Sequence, residues 1–193
     1  MQPSARLSAI KPSPIRAITD GTPPGAIPLG LGEPTWDLPE VARQALLRPP
    51  DPCAYVPHAG LTELRRALAG FYRCSVDEVL VTTGSQGALS CLFQAWVKPG
   101  SKVLIPDPGF VAYPALAGLA GAEAVPYPLS ADRFRLDGTA LVRVLEATED
   151  VSAVILNLPS NPTGGGGGLE DLKRVADACA RRDVLLISDE VYR

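Results

Sequence analysis

Three short segments of the 193-residue sequence carry side chains able to hold or transform a ligand: TTGSQGA at 82–88, NLPSNPTG at 157–164 and SDEVY at 188–192. Gly84, Ser85, Gln86 and Gly87 offer backbone N–H groups and a hydroxyl. At the start of a helix such groups can hold a phosphate, though on their own the same residues read first as a turn in which Ser85 or Gln86 caps the helix. A hydrolase elbow is excluded, because G-x-S-x-G needs glycine where Thr83 stands. The single histidine, His58, also precedes Ser85, whereas that triad places its histidine last. Asn161 can donate its amide to a ligand oxygen while Pro162 and Gly164 shape a tight turn, or it can close an Asx turn on its own backbone. The five glycines at 164–168 lack the Lys-Ser/Thr pair of a phosphate loop and read as a flexible loop leading into a helix. Asp189 ends the apolar run VLLIS. A carboxylate at such a place needs a cation or several donors, and a protonated aromatic nitrogen would serve. As an isolated Asp-Glu pair, Asp189 or Glu190 would instead cap a following element.

These segments need elements to position them. Apolar or β-branched runs at 79–83, 102–106, 122–127, 153–158 and 184–188 alternate with helical patterns at 85–97, 111–121, 138–147 and 169–182. The runs AVILNL and VLLIS show no polar alternation, which predicts strands covered on both faces. The fold class is therefore α/β, a mostly parallel sheet with helices on both faces, and ligands of such sheets bind beyond the carboxyl ends of the strands. Upstream, a short helix is predicted over 38–47. Leu61, Leu64, Leu68 and Phe71 give an amphipathic helix ending near Tyr72, with Arg65 and Arg66 on its wet side. Residues 1–28 hold six prolines and little periodicity, and read as an extended arm.

Composition narrows the partners. With 46% hydrophobic and 20% charged residues the chain can build a core, which excludes disorder and a coiled coil. A net charge of -3 without a Lys/Arg block offers no positive surface for nucleic acid or anionic lipid, so a small-molecule partner is expected. Cys53, Cys74, Cys91 and Cys179 lack any metal-ligand spacing, and no metal is expected. The first residues have no apolar signal core and no run approaches a membrane span. The expectation is a soluble, cytoplasmic protein.

Taken together, LGLGEP at 29–34, YVPHAGLTELRRAL at 55–68, TTGSQGAL at 82–89, IPDPGFVAY at 105–113, LNLPSNPTG at 156–164 and ISDEVY at 187–192 resemble fold-type I pyridoxal-phosphate enzymes. The similarity is to the class I/II aminotransferases, in order and in spacing. The resemblance implies pyridoxal 5'-phosphate as cofactor and an amino acid and a 2-oxo acid as substrates. It implies that Asp189 binds the pyridine nitrogen and that Asn161 and Tyr192 hydrogen-bond the ring's phenolic oxygen, with Asp189 and Tyr192 taken as catalytic. Ser85, Gln86 and Gly87 would cradle the phosphate and Phe110 would stack on the ring. Gly32, in a segment similar to the family's substrate loop, would contact the substrate carboxylate. Tyr55 would reach the phosphate of a neighbouring subunit, which implies a homodimer. The pentaglycine departs from the family's short mixed loop and is expected to loosen it without touching Asn161.

The resemblance also implies a lysine that bonds the coenzyme, further phosphate ligands and an arginine for the substrate carboxylate, all placed by the family after D-E-V-Y. Lys11, Lys98, Lys102 and Lys173 match none of these motifs. The chain is expected to be an amino-terminal portion, inactive alone and poorly stable. In it, residues 1–48 form an arm with part of the small domain and 49–193 an incomplete cofactor-binding domain. A carbon-sulfur lyase or cyclopropane-carboxylate synthase of the same fold remains an alternative. So do a non-catalytic domain that binds cofactor or amino acid, and a general nucleotide-binding α/β protein. The last of these lacks both the P-loop lysine and G-x-G-x-x-G.

Overall fold

Strands that bury both faces need helices above and below the sheet, and the second half of the chain supplies them in alternation. The computed structural model describes residues 2, 4, 6–7, 10, 12–27, 29–32, 34–48 and 55–193. Among them run α1 (Pro14–Asp20), α2 (Glu40–Leu46), α3 (Thr62–Tyr72), α4 (Gly84–Trp96), β1 (Lys102–Asp107) and α5 (Ala112–Leu119). After these come β2 (Glu123–Pro128), α6 (Gly138–Ala147), β3 (Val151–Asn157), α7 (Leu169–Arg181) and β4 (Leu185–Asp189). Contacts gather the chain into two compact units, Met1–Lys11 with Thr83–Arg193, and Pro12–Thr82.

The first unit holds a four-stranded sheet in the order β2-β1-β3-β4, every pair parallel. Alternate residues of each strand face opposite layers. Val103, Ile105, Ala153, Ile155 and Ile187 pack with Leu89 and Phe93 of α4 and Tyr113, Leu116 and Ala117 of α5. Leu104, Val154 and Leu156 pack with Leu141 and Leu145 of α6 and Val175, Ala178 and Cys179 of α7. The uninterrupted apolar runs thus occupy a two-faced core, as expected. Because α5 lies on one face and α7 on the other, the connections leaving β1 and leaving β3 diverge. This opens a crevice at the carboxyl ends of those two neighbouring strands. The described cysteines Cys74, Cys91 and Cys179 are free, and burial pushes the Cys179 thiol up to about 11. Cys53 lies outside the described residues. Among the described residues no helix is long and apolar enough to cross a membrane.

The pentaglycine is pinned rather than loose. The Ser160 N–H donates to the Gly165 carbonyl at 2.9 Å and the Leu136 N–H to the Gly166 carbonyl at 2.9 Å. Gly165 is buried, and a Cβ placed on it would run into the Phe134 carbonyl, a backbone atom that cannot swing aside.

The second unit departs from the sequence reading in four places. Residues 14–20, expected to be extended, form α1. The Ser13 hydroxyl accepts the Arg16 N–H and a proline occupies the first turn, where its fixed φ is suited and its missing N–H costs nothing. Helix α2 begins at Glu40 rather than 38 and buries none of its residues. Arg65 is not on the wet side of α3, because its Nε donates to the Val79 carbonyl at 2.8 Å and its Nη2 to the Val76 carbonyl at 2.6 Å. Residues 79–83 do not join the sheet. They have no regular structure, and the Val81 N–H donates to the Ala59 carbonyl at 2.9 Å.

Gly165→Ala is expected to destabilise the protein by about 1–3 kcal/mol through overpacking. Gly166→Ala, with nothing within 4 Å of the added carbon, should leave stability nearly unchanged. Urea midpoints of the two variants measure this, and equal midpoints would contradict the pinned loop.

Candidate functional site

The crevice is built from the ends of β1, β3 and β4 and the start of α4. Asp189 is the last residue of β4, 9% exposed, and pairs in register with Asn157, the last residue of β3. Its carboxylate accepts the Tyr113 hydroxyl at Oδ2, 2.8 Å away, and the Val191 N–H at Oδ1, 3.2 Å away. Its carbonyl accepts the Asn157 Nδ2 at 3.1 Å and the Leu158 N–H at 3.2 Å. The Asn157 Oδ1 in turn accepts the Asn161 N–H at 2.7 Å, so one buried amide ties the turn after β3 to the end of β4. From that turn the Asn161 Nδ2 donates to the Tyr192 hydroxyl oxygen at 3.2 Å.

Phe110 reaches the same place after β1. Gly109 makes this possible, since a Cβ there would collide with the Pro106 carbonyl and the chain could not fold back so tightly. The Phe110 ring meets the Tyr113 ring edge to face, with centroids 5.5 Å apart and planes at 84°. At the start of α4, Thr83 is the N-cap but makes no side-chain cap bond, and Gly84 turns the chain with φ +70°. Ser85 and Gln86 therefore sit in the first helical turn and do not cap it.

Ser85, Gln86, Phe110, Asn161, Asp189 and Tyr192, separated by up to about a hundred positions in the sequence, line one cavity of about 120 Å³. Tyr113, Asn157 and Val191 complete its walls. Gly87 follows in α4 without lining the cavity. Gly32 and Tyr55 belong to the other unit, both exposed to solvent. Lys98 and Lys102 stand at the opposite, amino-terminal end of β1, and Lys173 pairs with Asp177 on the surface at 2.7 Å. Lys11 lies outside the described residues. Among the described residues no lysine lines the cavity.

The sequence reading missed Tyr113 and Asn157. Tyr113 falls one turn after Phe110 and faces the core, 0% exposed. Asn157 is the one polar residue inside the run AVILNL, a signal that was available.

The electrostatics separate the two acids of the Asp-Glu pair. Glu190 faces solvent, and its carboxyl is held below the usual range, first by the Arg193 guanidinium at 2.8 Å and then by the Ser188 hydroxyl at 3.0 Å. The salt bridges among the described residues join Glu40 to Arg43, Asp77 to Arg65, Asp177 to Lys173 and Glu190 to Arg193, and none involves Asp189. Asp189 is therefore a buried carboxylate held by neutral donors alone among these residues. Burial, reinforced by the hydrogen bond to Asp189, raises the Tyr113 phenol far above the ordinary tyrosine range, and burial raises Tyr127 likewise. Both phenols stay protonated and act as donors, Tyr113 to Asp189 and Tyr127 to the Ile155 carbonyl at 2.7 Å.

Comparison with known proteins gives a consistent picture. The family described as aminotransferase class I and II matches residues 24–193. An aspartate aminotransferase of Pyrococcus abyssi is 36% identical over 206 residues, covering 100% of this chain and 52% of that protein. The solved aspartate aminotransferase of Thermus thermophilus with maleate superposes with a TM-score of 0.87 at 33% identity, covering 100% of this chain and 54% of that one. The N-succinyldiaminopimelate aminotransferase of Mycobacterium tuberculosis gives a TM-score of 0.87 at 32% identity, with 99% and 52% covered. The chain spans about half the length of the curated relatives it matches.

The raised phenols carry a sign for alkaline stability. A group that keeps its proton longer when folded contributes stability fully present below its unfolded value near 10, and that stability is lost as the pH rises above it. Ultraviolet titration should therefore find Tyr113 and Tyr127 ionising only with alkaline unfolding. Tyr113→Phe or Tyr127→Phe should leave the folded-state titration amplitude unchanged, and a loss of that amplitude in either variant would contradict the assignment.

Proposed function

Because the chain belongs to the class I and II aminotransferase family, we propose that it is the amino-terminal portion of a pyridoxal 5'-phosphate-dependent enzyme. That enzyme transfers an amino group between an amino acid and a 2-oxo acid. The observation that carries this reading is a buried carboxylate without a cation partner among the described residues. It shares one small cavity with an amide-phenol pair. The donor set suits the coenzyme on its own chemistry. A ring N–H would supply the charge Asp189 lacks, an anionic ring oxygen would accept from Asn161 and Tyr192, and an aromatic wall and a helix start complete the set. When bound, the coenzyme supplies an electron-poor ring that takes up the electron pair of a breaking bond at the substrate α-carbon.

In this reading Asp189 keeps a proton at the ring nitrogen, and Tyr192 and Asn161 hold the ring oxygen by hydrogen bonds. Phe110 covers one face of the ring and excludes water from it. Ser85, Gln86 and Gly87 present hydroxyl and backbone donors of the first turn of α4 to the phosphate. Tyr55 serves the phosphate of a second copy, so the whole enzyme is a homodimer, and it works in the cytoplasm. Residues 1–48 belong to the arm and small domain and 49–193 to the coenzyme-binding domain. Among the described residues no lysine lines the cavity to bond the coenzyme and move the proton, which supports the reading that the 193-residue chain alone does not turn over.

Two measurements test this. Incubated with pyridoxal phosphate, amino acids and 2-oxo acids, the purified chain should transfer no amino group, and turnover of any amino acid would refute that part. In crystals soaked with pyridoxal phosphate the ring nitrogen should lie within hydrogen-bonding reach of Asp189. A ring bound elsewhere overturns the reading.

A further inference from the structure

We propose that Tyr113 is the positioning residue for Asp189, fixing the plane of its carboxylate so that the other oxygen is presented to the ring nitrogen. The inference rests on the coenzyme reading above and goes beyond it, since Tyr113 is given no contact with coenzyme or substrate. Geometry carries it. Tyr113 and Asp189 are 76 positions apart, and the phenol comes from α5 on one face of the sheet to meet a strand end at its rim. The hydroxyl engages Oδ2 alone, at 2.8 Å, which leaves Oδ1 with the Val191 N–H and its remaining acceptor capacity.

A carboxylate at the last position of an edge strand has free rotation about its Cα–Cβ and Cβ–Cγ bonds unless something stops it. Here the stop is a rigid ring with few degrees of freedom, fully buried and braced by Phe110 edge to face. Because burial keeps the phenol protonated, it donates throughout the working pH range and never confronts the carboxylate with a second negative charge. The backbone of Asp189 is held separately by Asn157 and Leu158, and of the two donors that orient its carboxylate Tyr113, at 2.8 Å, is closer than the Val191 N–H at 3.2 Å.

The test compares pyridoxal phosphate with its 1-deaza analogue, in which C–H replaces the ring nitrogen, binding to the chain at equilibrium. The parent chain should prefer pyridoxal phosphate by about tenfold or more, the usual scale for a hydrogen bond to a charged group. In Tyr113→Phe that preference should fall several-fold while affinity for the deaza analogue stays the same. Tyr127→Phe removes an equally buried phenol that donates to Ile155 instead, and should retain the full preference. A preference undiminished in Tyr113→Phe, or both affinities falling together as for a general structural loss, overturns the proposal alone. A parent chain with no preference, whether it binds both compounds equally or neither, overturns it together with the coenzyme reading.

Discussion

A carboxylate removed from water must be compensated, and the arrangement of the first unit follows from how Asp189 is compensated. Taking an ionised carboxyl out of solvent costs several kcal/mol unless donors or an opposite charge replace the lost hydration. Two neutral donors, the Tyr113 hydroxyl and the Val191 N–H, replace part of it. The basic side chains whose ion pairs are described face other acids. A core built for stability alone would place an apolar residue at the end of β4, as it does at Ile187 two positions earlier. A buried polar side chain that breaks the apolar pattern at an otherwise well-packed rim is what is expected where a site is built for a ligand.

The topology explains why the other groups converge on that carboxylate. Tyr113 and Phe110 follow β1, and Asn157 and Asn161 follow β3. Strands β1 and β3 are hydrogen-bonded neighbours whose connections run to opposite faces. A crevice between diverging connections is open to solvent without breaking any ladder hydrogen bond, so polar side chains gather there at little cost to the sheet. The amino-terminal end of the sheet has the opposite character. There the Arg182 guanidinium spends its donors on the last carbonyls of α6, at Leu145 and Thr148. That device closes a helix end.

The legible part of this structure was the part encoded locally. Runs such as 153–158 and 184–188 become strands because their burial on both faces is written into consecutive apolar residues, and the polar residue that ends each run marks the rim. Residues 79–83 show the limit of that argument. Val79, Leu80 and Val81 have strand-like side chains, yet strand preference measures fit to a neighbouring surface, and that neighbour is a tertiary fact. Arg65 was misplaced for a related reason. Helical periodicity locates it on a face, but not the two carbonyls at Val76 and Val79 that the chain later brings to it. Helix α1 was different, since Ser13 followed by Pro14 is a local start signal that proline content obscured. Tyr113 could not be paired with Asp189 from sequence, because nothing local connects residues 76 positions apart.

Asn157 shows why the rim tolerates so little chemical variation. Its amide does two opposite things at once, donating through Nδ2 to the Asp189 carbonyl and accepting through Oδ1 from the Asn161 N–H. Aspartate at this position would keep the acceptor, lose the donor and set a second carboxylate in the wall of the cavity that already holds one. Leucine would match the volume and leave the Asn161 N–H without its partner. The Asp189 carbonyl would keep the Leu158 N–H as its donor, and the turn carrying Asn161 would lose the tie that Asn157 makes between it and β4. Glutamine has the right groups one carbon too far out for a residue that is 3% exposed and in register with Asp189. An amide of this one length satisfies both bonds, so the spacing between Asn161 and Asp189 is set by a residue that needs no contact with a ligand.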